Sequence, residues 1–315
     1  MSWFPLALIA TVGWGTADLF YKKASDENDR YSHLRTAVWV GLVMGITSLA
    51  LLPFSETDFS VSSFFRSLLL YSPASLFYIL SMIIGYAGLR YLALSVISPV
   101  QNASGALSTV LMLILFFRNG SLNGFSEAFS PFDLIGTGLV IVGVIALAMV
   151  ENRLAAPLKK DEVRFRKGAA ALLFPLGYCL FDTLGTAADG VILQNDTLGE
   201  LDVICLYGIT FFAVGVSAWL FLFFKTKKPY FPFSKKELST NGAAALSEEF
   251  GQVFYVYAMA RRPLLAAPMI GSYCILSVIL SRVFLREKPG CARYLCVFTV
   301  IAGIVLLGIS EGLAA

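Results

Sequence analysis

The chain has 315 residues, of which 57% are hydrophobic and 14% are charged, and its formal net charge is +3. A soluble domain is roughly 45–50% apolar and about 25% charged, so this composition excludes an ordinary soluble fold. The small net charge gives no reason to expect a nucleic-acid partner.

The apolar residues form runs of roughly 20 residues, the length with which a helix crosses about 30 Å of hydrocarbon. Because lipid offers no hydrogen-bond partners to a free backbone, each run is predicted to be a helix. The sequence therefore predicts an all-α integral membrane protein with ten transmembrane helices. In chain order, the predicted spans are 2–22, 34–54, 67–89, 94–117, 131–150, 168–191, 202–224, 240–260, 264–285 and 292–310.

Lysine and arginine residues concentrate on one side of these spans. Of the 24 in the chain, only Arg66, Arg118, Arg261 and Arg262 fall on the other side, which leaves 20 on the basic side. Basic loops stay in the cytoplasm, so the distribution predicts that both termini are non-cytoplasmic. The predicted location is the plasma membrane of the cell.

Segments of the first half recur in the second half with a slowly drifting offset. Four pairs match in chain order, namely 13–18 with 177–182, 86–90 with 257–261, 99–111 with 268–280, and 140–147 with 300–307. This pattern indicates a duplication of a unit with five spans. We predict a first repeat over 1–150, a basic linker over 151–167 and a second repeat over 168–315.

Each repeat contains an odd number of spans, so the second repeat must enter the membrane from the opposite side. Such inverted repeats are the structural basis of alternating access in many secondary transporters. Gly13, Gly15 and the repeat-equivalent pair Gly143 and Gly303 are predicted to allow close helix packing.

Three short motifs resemble the EamA-type transporters of the drug/metabolite transporter superfamily. They are the Gly-Trp-Gly-Thr of residues 13–16, the Tyr-Ala-x-x-Arg-Tyr-Leu of 86–92, and the Phe-Leu-Arg-Glu-Lys of 284–288. The resemblance covers almost the whole chain. It implies a ten-helix basket with a central cavity lined by both halves, and transport of small metabolites.

The chain departs from this family in two respects. The first half ends its fourth span with Arg118-Asn119-Gly120 and lacks the acid that Glu287 supplies in the second half. Members of the family also commonly keep both termini in the cytoplasm, which is the reverse of the orientation that the basic residues predict.

Two aspartates occupy equivalent places in the two repeats. Trp14 lies four residues before Asp18, and Tyr178 lies four residues before Asp182. Residues i and i+4 share a helix face, so each half presents an aromatic ring one turn from an acid. A carboxylate within a membrane helix usually faces a cavity or a partner. Both pairs are predicted to bind substrate, although an interfacial ion pair with Lys22 is an equal alternative for Asp18.

A polar stripe runs along the eighth span. Glu248, Gln252 and Tyr255 follow an i, i+4, i+7 spacing and are predicted to line the cavity. Glu249 lies about 100° round the helix from Glu248, so the two acids are predicted to act differently. Glu248, Glu249 and Asp182 are the candidates for proton coupling. The alternative is that Glu248 and Glu249 are solvated at the end of the span.

Further candidates for substrate binding lie in spans four and nine. Gln101 and Asn102 follow Pro99, which frees a backbone carbonyl, and Tyr273 lies in the corresponding part of span nine. Hydrogen bonding between helices is the alternative role of the polar pair.

Together these features predict a secondary active transporter, whose cavity of carboxylates and aromatic rings suits a cationic or zwitterionic amine. Amino acids, choline-like amines and polyamines fit this description, and a proton or other ion is the expected coupling partner. A neutral sugar or an aromatic metabolite is the alternative substrate. A membrane-embedded enzyme or a structural membrane protein is a less favoured class, because His33 is the single histidine and no metal or cofactor motif is present. The expected partners are the lipid bilayer and the substrate, and a monomer is the expected assembly.

Overall fold

All ten predicted spans are helical in the computed structural model. It describes residues 1–314 except 27, 56–60, 119–128, 156–167, 196, 227–229 and 286–290, and these described residues contain no strand. Residues 156–167 of the predicted linker, Asn119-Gly120 and the motif residues Arg286, Glu287 and Lys288 lie outside the described residues. The helices are α1 (Trp3–Ala24), α2 (Ser32–Leu51), α3 (Val61–Gly88), α4 (Leu94–Arg118), α5 (Pro131–Ala155), α6 (Leu173–Gln194), α7 (Glu200–Lys225), α8 (Ala243–Arg261), α9a (Pro263–Gly271), α9b (Tyr273–Phe284) and α10 (Cys291–Ala314).

The prediction of an all-α membrane fold is confirmed. In the described part of the chain, nine spans are long and apolar enough to cross a membrane, and α9a and α9b together form one of them. The remaining helix, α8, is not among these nine spans. It is less apolar than the others, and Glu248, Glu249 and Gln252 lie along it.

The predicted ninth span is divided into α9a and α9b. Pro268 lies inside α9a, and this helix ends three residues later at Gly271. The backbone N–H of Ser272 then donates to Met269 O at 3.1 Å, and α9b begins at Tyr273. In the first half, α4 continues past the equivalent Pro99 without a break.

The helix ends form two faces that are held by different contacts. On the basic face, Arg90 after α3 donates to Asp26 O (3.2 Å) and to Arg30 O (3.1 Å) of the loop after α1. On the opposite face, which carries both termini and is called the terminal face below, Arg262 lies 3.7 Å from Asp133.

The helix contacts are symmetric under exchange of the two halves. The pairs α2–α7, α4–α9a and α5–α10 each join equivalent helices. The contact of α1 with α8 matches that of α6 with α3, and the contact of α1 with α9b matches that of α6 with α4. This arrangement is what a pseudo-two-fold axis between α1–α5 and α6–α10 would produce.

Close helix crossings occur where glycines face one another, and the predicted packing role of Gly13 is confirmed. A Cβ on Gly13 would lie 2.8 Å from the Cα of Gly251 in α8. A Cβ on Gly303 would lie 2.7 Å from Gly136 O, and the expected packing at Gly15 and Gly143 is also present. Small residues at such crossings let backbones approach, which is how helices associate in lipid.

Candidate functional site

The centre of the bundle contains a cavity lined by helices from both halves. Its lining is made almost entirely of acidic, amide and aromatic side chains, with Met82, Gly85 and Leu89 as the exceptions. The polar and aromatic lining residues are Trp14, Asp18, Tyr21, Tyr78, Tyr86, Gln101, Tyr178, Asp182, Tyr207, Glu248, Gln252 and Tyr273.

Helix α1 places Trp14, Asp18 and Tyr21 on the cavity wall, at i, i+4 and i+7. The carboxylate of Asp18 accepts hydrogen bonds from Ser98 Oγ of α4 (2.6 Å) and from Ser277 Oγ of α9b (2.7 Å). Asp18 is therefore held by one serine from each half of the chain.

The other predicted interaction of Asp18 was an interfacial ion pair with Lys22. In the structure, Lys22 Nζ donates to Leu89 O (2.5 Å) and to Leu92 O (2.9 Å), which follow the end of α3. The ammonium group thus binds carbonyls at the basic face, and Asp18 lies within the cavity wall.

Helix α6 contributes Tyr178 and Asp182, the repeat equivalents of Trp14 and Asp18. The carboxylate of Asp182 accepts a hydrogen bond from Ser104 Oγ of α4 at 2.6 Å. The hydroxyl of Tyr178 lies 3.7 Å from Met82 Sδ. Both predicted residues of the second repeat therefore face the same cavity as those of the first.

The polar stripe of α8 is divided between the cavity and its surroundings. Glu248 and Gln252 line the cavity, whereas Tyr255 lies behind it. The ring of Tyr255 packs on Trp14, with centroids 5.0 Å apart and planes at 30°. Glu249 is buried on another side of α8, beside Thr47 of α2, and does not line the cavity.

Helix α4 separates its predicted polar pair. Gln101 lines the cavity, whereas Nδ2 of Asn102 donates to Ser98 O at 2.8 Å and supports the helix. Tyr273 of α9b lines the cavity as predicted and meets Trp14 edge to face, with centroids 5.8 Å apart.

Sequence reasoning missed the contribution of α3. Tyr78, Met82, Gly85, Tyr86 and Leu89 form one face of this helix and line the cavity. Their i, i+4, i+7 spacing from Tyr78 was the available signal, but aromatic residues in an apolar helix are equally typical of a packed core.

The cavity has a free volume of about 30 Å³. This is enough space to hold water among the side chains that line the cavity. The residues that line it include Asp18, Asp182 and Glu248, and no lysine, arginine or histidine is among them.

Two amide donors face this group of acids without using their hydrogen bonds. Gln101 and Gln252 are 5% and 4% exposed, and the Nε2 atom of each has no hydrogen-bond partner among the described residues. An unpaired buried donor carries a desolvation penalty, which a bound acceptor would remove.

Comparison with known proteins places this fold. Residues 176–309 match the EamA-like transporter family. Among solved structures, 28 chains match, including a crystal structure of a protein that is 13% identical, with a TM-score of 0.60 over 98% of this chain and 96% of that chain. That likeness shows the fold alone. No curated protein matches the sequence. The chain is an integral membrane protein of the drug/metabolite transporter superfamily, with its EamA-like region in the second half.

Proposed function

We propose that this protein is a secondary active transporter that moves small zwitterionic or cationic amines by alternating access. The observation that carries the proposal is the composition of the central cavity, where three carboxylates meet aromatic rings and no cationic side chain. Membership of a family of membrane transporters of small molecules supports the general activity.

The acidic residues of the cavity favour a positively charged group in the substrate. Asp18, Asp182 and Glu248 line one small cavity inside the bundle, where their negative potential is less screened than at an exposed surface. The faces of Trp14 and Tyr178 attract an ammonium group by about 0.5–2 kcal/mol each. A protonated amine satisfies both kinds of group at once.

The amide donors without hydrogen-bond partners favour a carboxylate as a second group in the substrate. Gln101 and Gln252 lie on opposite halves of the chain and offer N–H groups beside the acids. A substrate carboxylate would accept from these donors while its ammonium group binds Asp182 or Glu248. An amino acid carries both groups, so we favour a zwitterionic amine over choline-like amines and polyamines.

Alternating access follows from the arrangement of the helices. The cavity lies between α1–α5 and α6–α10, whose contacts are symmetric under exchange of the halves. We propose that they are inverted repeats, with the boundary in the linker 151–167. If each half can adopt the conformation of the other, the cavity changes the face to which it opens.

The test is counterflow in proteoliposomes with radiolabelled lysine, choline and putrescine. Glucose and 4-hydroxybenzoate, an aromatic metabolite without an amine, represent the alternative substrates. Asp182→Asn and Glu248→Gln each remove a charged partner of the amine while keeping the side-chain shape. Hydrogen bonds to charged groups contribute about 1.5–3 kcal/mol, so the expected loss of affinity is roughly 10- to 100-fold.

The control is Glu200→Gln, which removes a carboxylate at the start of α7 and outside the cavity lining. It is expected to leave counterflow unchanged. Uptake of glucose or 4-hydroxybenzoate that resists both cavity substitutions would reject the amine. In that case, we would ask whether the two variants lose uphill transport and still exchange substrate between equal pools. This result would assign the acids to proton coupling.

A further inference from the structure

A second buried acid lies on α6 beyond the cavity. Asp189 is seven residues after Asp182, so the two share a helix face about 10 Å apart along the axis. Asp189 is 0% exposed and belongs to none of the groups that line the cavity. Neither the family resemblance nor the repeat pattern pointed to it.

Hydroxyl groups connect Asp189 to the cavity. The hydroxyl of Tyr255 donates to Oδ2 of Asp189 at 3.3 Å and makes a short hydrogen bond with the hydroxyl of Tyr78. The hydroxyl of Tyr78 also lies 3.0 Å from Oγ1 of Thr186, and the ring of Tyr78 is part of the cavity wall. We call Asp189, Tyr255, Tyr78, Thr186 and the adjacent Tyr71 the Asp189 cluster.

Among the described residues, no basic side chain faces this carboxyl group. The titratable groups that face it come from α3, α6, α7 and α8, and none is basic. They are Tyr71, Tyr78, Asp182, Tyr207 and Tyr255. The hydroxyls of Tyr71, Tyr78 and Tyr255 are its polar neighbours. An ionised carboxylate in such a place would be a buried charge without a cation to balance it, which proteins avoid by pairing or by neutralisation.

The Asp189 cluster lies on the terminal side of the cavity, where the helices pack closely. Asp189 is near the end of α6 that leads to Asn195 on the terminal face. A Cβ on the next residue, Gly190, would meet Met112 of α4 and Pro263 of α9a. Water therefore reaches this carboxyl only if α3, α6 and α8 separate on that side.

We propose that Asp189 is a proton-binding site that closes the terminal half of the pathway when its carboxyl is protonated and opens it when the proton leaves. The ionised carboxylate needs water, which only the open arrangement provides. The neutral carboxyl can donate to Tyr255 and fits the closed arrangement.

The hydroxyl groups of the Asp189 cluster provide a second route for this proton, toward the cavity. With the carboxylate ionised, each hydroxyl from Thr186 to Tyr255 can point toward Asp189. With the carboxyl protonated, the hydrogen bonds of Tyr255 and Tyr78 can reverse, and Tyr78, which lines the cavity, can pass one proton to water there. One proton taken up at the terminal face would thus be released to the cavity, which couples proton movement to the proposed transport.

The experiment measures opening of the terminal face directly and needs no substrate. Spin labels on Asn195→Cys and Arg261→Cys, in a variant with the native cysteines replaced, mark the exposed ends of α6 and α8. Double electron–electron resonance on the full chain in liposomes is expected to give a short distance at acidic pH and a longer one at alkaline pH. Asp189→Asn, which stays neutral, is expected to keep the short distance at every pH.

The matched control is Asp26→Asn, an exposed aspartate in the loop after α1, which should retain the wild-type response. If the amide disturbs folding, the smaller neutral Asp189→Ser carries the same expectation. A pH response that persists in the neutral variant, or a wild-type distance that never changes with pH, overturns the proposal. Counterflow tests the substrate separately, so a pH response without amine uptake would refute only the proposed substrate.

Discussion

Two clusters of tyrosine hydroxyls around a carboxyl group lie on either side of the central cavity. Toward the basic face, the hydroxyl of Tyr86 donates to that of Tyr21 at 3.2 Å, and Tyr21 faces Glu248. Toward the terminal face, Tyr78 and Tyr255 lead to Asp189. Helix α3 supplies a tyrosine to both clusters, and α8 supplies the acid to one and a tyrosine to the other.

The clusters differ in their access to the cavity. Tyr21, Tyr86 and Glu248 all line the cavity, whereas in the Asp189 cluster only Tyr78 does so. The pathway is therefore closed more tightly on the terminal side. The difference teaches that two helices of the same half can hold acids in opposite environments, one beside the substrate volume and one sealed from it.

The largest expected effect is a difference in labelling between the two faces of the membrane, which shows the compartment that each cluster faces. Asn28 and Asn195 are both exposed, on the basic and terminal faces respectively. If the basic face is cytoplasmic, Asn195→Cys reacts with an impermeant maleimide in intact cells, and Asn28→Cys reacts only after permeabilisation. The opposite labelling pattern would place both termini in the cytoplasm, as the family resemblance implies, and would reverse the direction in which the Asp189 cluster opens.

A smaller effect, on stability, is expected from forcing α1 and α8 apart at Gly13. Gly13→Ala inserts a methyl group against the backbone of α8, which has no flexible atom to move aside. Overpacking costs about 1–3 kcal/mol, and this site should lie near the upper end. Gly138→Ala on α5 is the matched control, because a Cβ there meets nothing within 4 Å.

Thermal unfolding of the purified variants checks this expectation. Gly13→Ala should lower the melting temperature and weaken amine binding together, since Trp14 and Glu248 move apart. A Gly13→Ala protein as stable as Gly138→Ala would mean that α1 and α8 are not in close contact.

The ten helices could be predicted from the sequence because lipid leaves the backbone one solution for each apolar run. Predictions about individual side chains were less complete. Asp18, Asp182 and Glu248 stood out since acids are rare in apolar helices, but the depth of Asn102 and Glu249 depends on helix rotation, which a stripe of two or three residues does not determine. Asp189 was missed because its tyrosine partners come from α3 and α8, and no sequence spacing brings them together.

The smallest expected effect compares one hydroxyl from each cluster. Tyr78→Phe leaves Tyr255 and Thr186 with fewer partners in a sealed site, where an unsatisfied polar group costs about 1–3 kcal/mol. Tyr86→Phe removes the hydrogen-bond donor to Tyr21. Both of these residues line the cavity, where a water molecule can take the place of the lost hydroxyl, so the cost should stay below about 1 kcal/mol. Both rings remain, which keeps the apolar packing equal in the two variants. Thermal unfolding should therefore give a clearly lower melting temperature for Tyr78→Phe than for Tyr86→Phe. Equal melting temperatures would mean that water reaches both clusters, and the terminal side could then no longer be regarded as the sealed one.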